Sequence, residues 1–60
     1  MTTYIPADVS HVARGHWRAY VPFLDDFVDA TSRPALEYEV FRLVEESHGL
    51  RGFVITWREV

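Results

Sequence analysis

Apolar and aromatic side chains, joined by one histidine, recur at spacings of three and four through the first half of the chain. They are Val9, Val12, Ala13, His16, Trp17, Tyr20, Leu24, Phe27 and Val28. That spacing is the repeat of one helical face, and Asp8 or Ser10 can cap its start. Gly15 and Pro22 interrupt the run. The first weakens a helix interior, and the second removes a backbone donor and clashes with the preceding turn. The pattern therefore predicts either one helix kinked at Pro22 or two helices over residues 9–20 and 22–30. The break is favoured, because Val21 is pushed out of the helical region by the proline that follows it. Pro22 then sits in the first turn of the second helix, with Asp25 and Asp26 near the positive end of its dipole.

Thr31-Ser32-Arg33-Pro34 reads as a stop and a restart. Ser32 is a good N-cap and Pro34 suits a first helical turn. The helix predicted from there runs to about His48, with Leu36, Val40, Leu43 and Val44 as its core stripe, widened by Phe41. Glu39, Arg42 and Glu46 lie on the opposite side, spaced to pair. Gly49 is placed as the left-handed C′ residue. His48 lies near the negative helix end, and Leu50 is set for the hydrophobic contact of such an ending.

Residues 51–60 form the clearest strand. Phe53, Ile55 and Trp57 alternate onto one face; Val54, Thr56, Arg58 and Val60 take the other. Thr2 to Ile5 is a second, short strand candidate, ended by Pro6. The expected fold class is α+β, with two or three helices packed on a small β-sheet. That sheet is two-stranded or completed by another molecule, with the C-terminal strand as its main member. One small domain spans residues 1–60.

Composition adds limits. The 60 residues are 48% hydrophobic and 15% aromatic, which excludes a disordered tail or a low-complexity linker. No cysteine is present, so disulfides and thiolate metal sites are excluded. Met1 to Pro6 has neither the basic nor the apolar region of a secretory leader, and a cytoplasmic setting is expected. The stretch Ala19 to Leu24 is far too short to span a membrane. All six cations are arginines, consistent with GC-rich coding of bacterial or phage type.

Charge is uneven. Residues 25–48 carry Asp25, Asp26, Asp29, Glu37, Glu39, Glu45 and Glu46 against Arg33 and Arg42, and the whole chain is at −3. This acidic surface, with Asp25, Asp26, Asp29, Glu39 and Glu46 as its candidates, lacks the basic footprint of a nucleic-acid binder.

Catalytic chemistry is not indicated. Glu45 and His48 have the i, i+3 spacing of carboxylate-bridged metal bundles, but one short chain supplies too few ligands. His11 and His16 diverge around a helix, and His16 falls in the apolar stripe as a core histidine. No phosphate loop, nucleophile elbow or dinucleotide fingerprint occurs. Neither an enzyme, nor a cofactor, nor a metal is expected.

The aromatics carry the functional expectation. Tyr, Trp and Arg dominate interface hot spots, and Trp17, Arg18, Tyr20, Val54, Thr56, Trp57 and Arg58 are the candidate interaction surface. The sequence points to a small non-catalytic protein–protein interaction module that binds and modulates a larger protein. The expected partner is that larger protein, or a second copy in a homodimer, through an open strand edge. The alternative is a small DNA-binding transcriptional regulator built on a helix-turn-helix-like helix pair, with His11, Arg14 and Arg18 on one helical face. The acidic balance and the absence of Asn and Gln as base readers speak against it.

Overall fold

A computed structural model describes residues 2–49 and 52–60, with the backbone alone at His48. The chain runs β1 (Thr3–Ala13), β2 (His16–Val21), β3 (Asp26–Ala30), α1 (Arg33–His48) and β4 (Phe53–Glu59). The four strands make one sheet in the order β3-β2-β1-β4. β1–β2 and β2–β3 are antiparallel, whereas β4 runs parallel to β1.

This overturns the expected architecture. Residues 9–30 form no helix; they complete β1 and build β2 and β3, so one helix packs on a four-stranded mixed sheet. The reason lies in a second periodicity within the same residues. Ile5, Ala7 and Val9 are buried while Tyr4 and Pro6 are exposed, and Ala19 and Val21 are buried around half-buried Tyr20. That is the period of two of a sheet covered on one side.

The two helix breakers are turn residues. Gly15 lies at φ 72 in the two-residue link between Ala13 and His16, a conformation open to glycine at no steric cost. Pro22 opens the link from β2 to β3. There Leu24 N–H donates to Val21 C=O and Asp25 N–H to Pro22 C=O, both at 3.0 Å, and Asp25 takes φ 52. Asp25 and Asp26 therefore occupy a turn and a strand start, not a helix N-terminus. Asp8 and Ser10 lie within β1 and cap nothing.

Pro6 does not end its strand. Val60 N–H donates to Val9 C=O at 2.9 Å. By the alternation of a parallel ladder, the odd residues of β1 bond to β4 and the even ones face the β2 side. Pro6 is even, and the β2 register begins only at Asp8↔Tyr20. Its missing N–H thus falls where, among the described residues, no strand pairs with that side of β1, and a strand tolerates proline there as it does at a sheet edge.

The helix forms as its local signals predict. Ser32 accepts from Ala35 N–H at 3.3 Å, Pro34 lies in the first turn, and Gly49 ends the helix at φ 60. Leu36, Val40 and Val44 are fully buried, while Leu43 is half-buried at the margin. Arg42 bridges Glu39 and Glu46 along the outer side. Leu50 and Arg51, expected to close the helix and open the last strand, lie outside the described residues, as does the His48 side chain. The core unites the helix stripe with Ile5, Ala7, Val9, Ala19, Val21, Val28 and Phe53. The helix lies mainly over β2 and β3.

Candidate interaction surface

A sheet with one helix layer leaves its other face in solvent. That face is set by the even residues of β1, β2 and β4 and by Phe27 and Asp29 of β3, since their neighbours point into the core. It carries Tyr4, Pro6, Asp8 and Ser10 from β1, Arg18 and Tyr20 from β2, and Val54, Thr56 and Arg58 from β4. Tyr4 is 68% exposed, Phe27 55% and Val54 48%.

Register places these residues against one another. Tyr20 and Phe27 are Cα partners, with ring centroids 5.0 Å apart. The Arg18 guanidinium stands over the Phe27 ring at 5.3 Å, a favourable cation–π contact. Arg18 Nε donates to Asp29 Oδ1 at 2.8 Å, and His16 Nε2 meets the same oxygen at 2.9 Å. Those two contacts, Arg18 first, hold the Asp29 carboxyl below its ordinary range. Tyr20 Oη donates to Asp25 Oδ1 at 3.3 Å, which raises the phenol pKa. At the other end Arg58 Nε donates to Asp8 Oδ1 at 2.8 Å. Asp8, Ser10, Arg18, Tyr20, Phe27 and Val60 surround an open concavity of about 310 Å³.

The interaction candidates split between two faces. Arg18, Tyr20, Val54, Thr56 and Arg58 share the open face. Trp17 and Trp57 are half-buried on the helix side, where the Arg33 guanidinium lies 5.9 Å and 5.7 Å from their ring centroids. Arg33 also bonds Glu59 and Glu37, and these carboxylates, Glu59 first, raise its pKa further. His11 stacks on Trp17 at 4.1 Å. His16 is no core histidine: it turns to the open face and Asp29.

The acidic candidates do not converge. Asp25 and Asp26 mark the β2–β3 turn, Asp29 sits on the open face, and Glu39 and Glu46 flank Arg42 on the helix. No group of metal-binding side chains forms among the described residues. His11, Arg14 and Arg18 share no helical face, because they belong to a hairpin: His11 on the helix side, Arg14 in the turn and Arg18 on the open face. The helix pair that the DNA-binding alternative requires is replaced by strands. No helix among the described residues is long and apolar enough to cross a membrane.

Tyr4, Phe27 and Val60 also belong to the open face; the alternation of the last strand places Val60 there, while Tyr4 and Phe27 are not singled out by sequence. Phe27 fitted the apparent helical stripe. Its signal was the alternation Phe27-Val28-Asp29 following the turn at Pro22. Comparison with protein-family models, with curated proteins and with solved structures finds no match to this chain.

Proposed function

We propose that this chain is a small non-catalytic interaction module that binds and modulates a larger protein through the open face of its sheet. The observation that supports this is the set of apolar side chains on a face that no other element covers among the described residues: Tyr20 beside Phe27 with Arg18 stacked on it, and Tyr4 paired with Val54 further along the sheet. Aromatic side chains, with few rotamers to freeze, and an arginine already held by Asp29 and Phe27 are well suited to an interface. The polar groups around them are already paired, Arg18 with Asp29, Arg58 with Asp8 and Tyr20 with Asp25. They lie among the apolar side chains as satisfied pairs rather than as reacting groups poised on a substrate.

The partner is a protein whose contact surface offers apolar groups to the Tyr20–Phe27 pair and to the Tyr4–Val54 pair, with polar groups between them. The test uses the wild-type chain and the variants Tyr4→Ser and Phe27→Ser as baits in a host lysate. Both side chains are exposed, so both variants keep the wild-type circular dichroism spectrum. The captured protein, once purified, binds the wild type about tenfold more tightly than either variant and changes its own activity or assembly state on binding. Capture that both variants retain in full overturns the reading.

A further inference from the structure

The geometry points to a second copy of this chain as the occupant of the free edge of β4, in an antiparallel pairing centred on Thr56. The sheet order ends at β4, and among the described residues no element lies along its outer side. The hydrogen bond from Val60 N–H to Val9 C=O fixes which groups are free. Even residues of β4 bond inward to β1, so the N–H and C=O of Phe53, Ile55, Trp57 and Glu59 point outward. No proline, lysine or glycine interrupts Phe53–Glu59, and such an edge is a template for another strand.

Self-pairing is the arrangement this strand fits. A two-fold axis must keep outward-bonding residues opposite outward-bonding residues, so it passes through a residue position and not between two. Only an axis at Thr56 pairs all 7 residues of the strand. Phe53 then faces Glu59 of the second copy, Ile55 faces Trp57, Val54 faces Arg58, and Thr56 faces Thr56. An axis at Trp57 brings the two Arg58 side chains into diagonal contact, and one at Arg58 sets them directly opposite; like charges so placed are destabilising. At Thr56 they stand four residues apart along the strands.

Packing on the helix side agrees. Because α1 lies mainly over β2 and β3, Ile55 and Trp57 stay half-buried although they point to the core side, and Phe41 is 44% exposed. Pairing across Thr56 lays Ile55 of each copy against Trp57 of the other and covers this apolar margin. It also joins the two open faces into one continuous surface. The pairing stands independently of the partner proposed above, and a dimer that binds no larger protein leaves it intact.

The test is the mass of the full chain by analytical ultracentrifugation over a concentration series, with Thr56→Lys and Thr56→Glu beside it. Thr56 is exposed, so both variants keep the wild-type fold by circular dichroism. The wild type sediments at twice the chain mass. Each variant sets like charges against each other at the axis and raises the dissociation constant about fivefold. An equimolar mixture of the two regains the wild-type value, because opposite charges then meet. Hydrogen exchange supplies a readout free of substitution: the amides of Ile55, Trp57 and Glu59 gain protection with concentration, while those of Val54, Thr56 and Arg58 are protected throughout. A wild type that stays monomeric at high concentration overturns the proposal. So does a dimer indifferent to charge at position 56 or to mixing.

Discussion

Arg18 and Asp29 stand directly opposite each other across β2 and β3, and Arg18 Nε donates to Asp29 Oδ1 at 2.8 Å. The pair ties the edge strand β3 to the sheet on the face opposite α1. Its carboxylate carries a second contact from His16 at 2.9 Å, so one residue anchors two neighbours on β2.

Asp29 gives the fold an acid-sensitive contact. Its folded-state pKa is depressed by Arg18 and His16, so the carboxylate stabilises the fold above the ordinary aspartate range, about pH 4. That contribution is lost as pH falls through the lower, folded-state value. Thermal melts of the wild type and of Asp29→Asn between neutral pH and pH 2 measure it. The wild type is the more stable at neutral pH, and the gap closes below about pH 4. A gap that stays constant or widens on acidification contradicts this role.

The helix stripe grades by depth. Leu36 is fully buried and Leu43 only half. Leu36→Ala is expected to cost about 2–5 kcal/mol, enough to unfold a domain of this size, and Leu43→Ala less. Glu39→Ala and Glu46→Ala, on the outer side with Arg42, each change stability by about 0.5 kcal/mol or less. Denaturant melts that rank the glutamates above Leu36 overturn this assignment of faces.

Gly15 and Asp25 share a positive φ but not its cost. At Gly15, with φ 72, a Cβ meets no neighbouring atom within 4 Å, so any penalty on substitution comes from the backbone alone. Gly15→Ala is expected to destabilise by about 1 kcal/mol. Asp25 already bears that strain at φ 52. Asp25→Gly relieves it while losing the exposed bond to Tyr20, and the net change is smaller in size. Equal losses at both positions in urea melts contradict a backbone origin.

Arg33 is held between two indoles, with its guanidinium 5.9 Å from Trp17 and 5.7 Å from Trp57. Arg33→Ala removes both contacts and the bonds to Glu37 and Glu59, and is expected to cost about 1–2 kcal/mol. Arg33→Lys recovers only part of this, since a compact ammonium does not reproduce the flat stacked fork. Tryptophan emission shifts in both variants, because these are the two tryptophans of the chain. Unchanged emission in Arg33→Ala shows that the stack does not persist in solution.

Where the deciding interactions are local, the sequence determined the structure. Ser32 capping Ala35, Pro34 in the first turn and Gly49 in the left-handed conformation all act within a few residues. The helix bounds therefore followed from the residues themselves. The alternation of Phe53, Ile55 and Trp57 likewise marked the last strand and its two faces, and with them Val54, Thr56 and Arg58 of the open face. Residues 9–30 were different. Val9, Val12, Tyr20 and Phe27 fit a helical spacing, while Val9, Ala19, Val21 and Val28 fit a strand, and small residues such as Ala7 and Ala19 weaken the second pattern to the eye. Tertiary structure decided between them. β1 gains β2 on one side and β4, some fifty residues further along the chain, on the other. The backbone bonds made there satisfy groups that an isolated amphipathic helix of this composition, broken by Gly15 and Pro22, would leave less well paired. Strand pairing is a contact between distant residues, and no local spacing records it. The same pairing set Phe27 beside Tyr20 and Arg18 and placed Trp17 on the helix side, whereas the separation of Trp57 from Val54, Thr56 and Arg58 already lay in the alternation of the last strand.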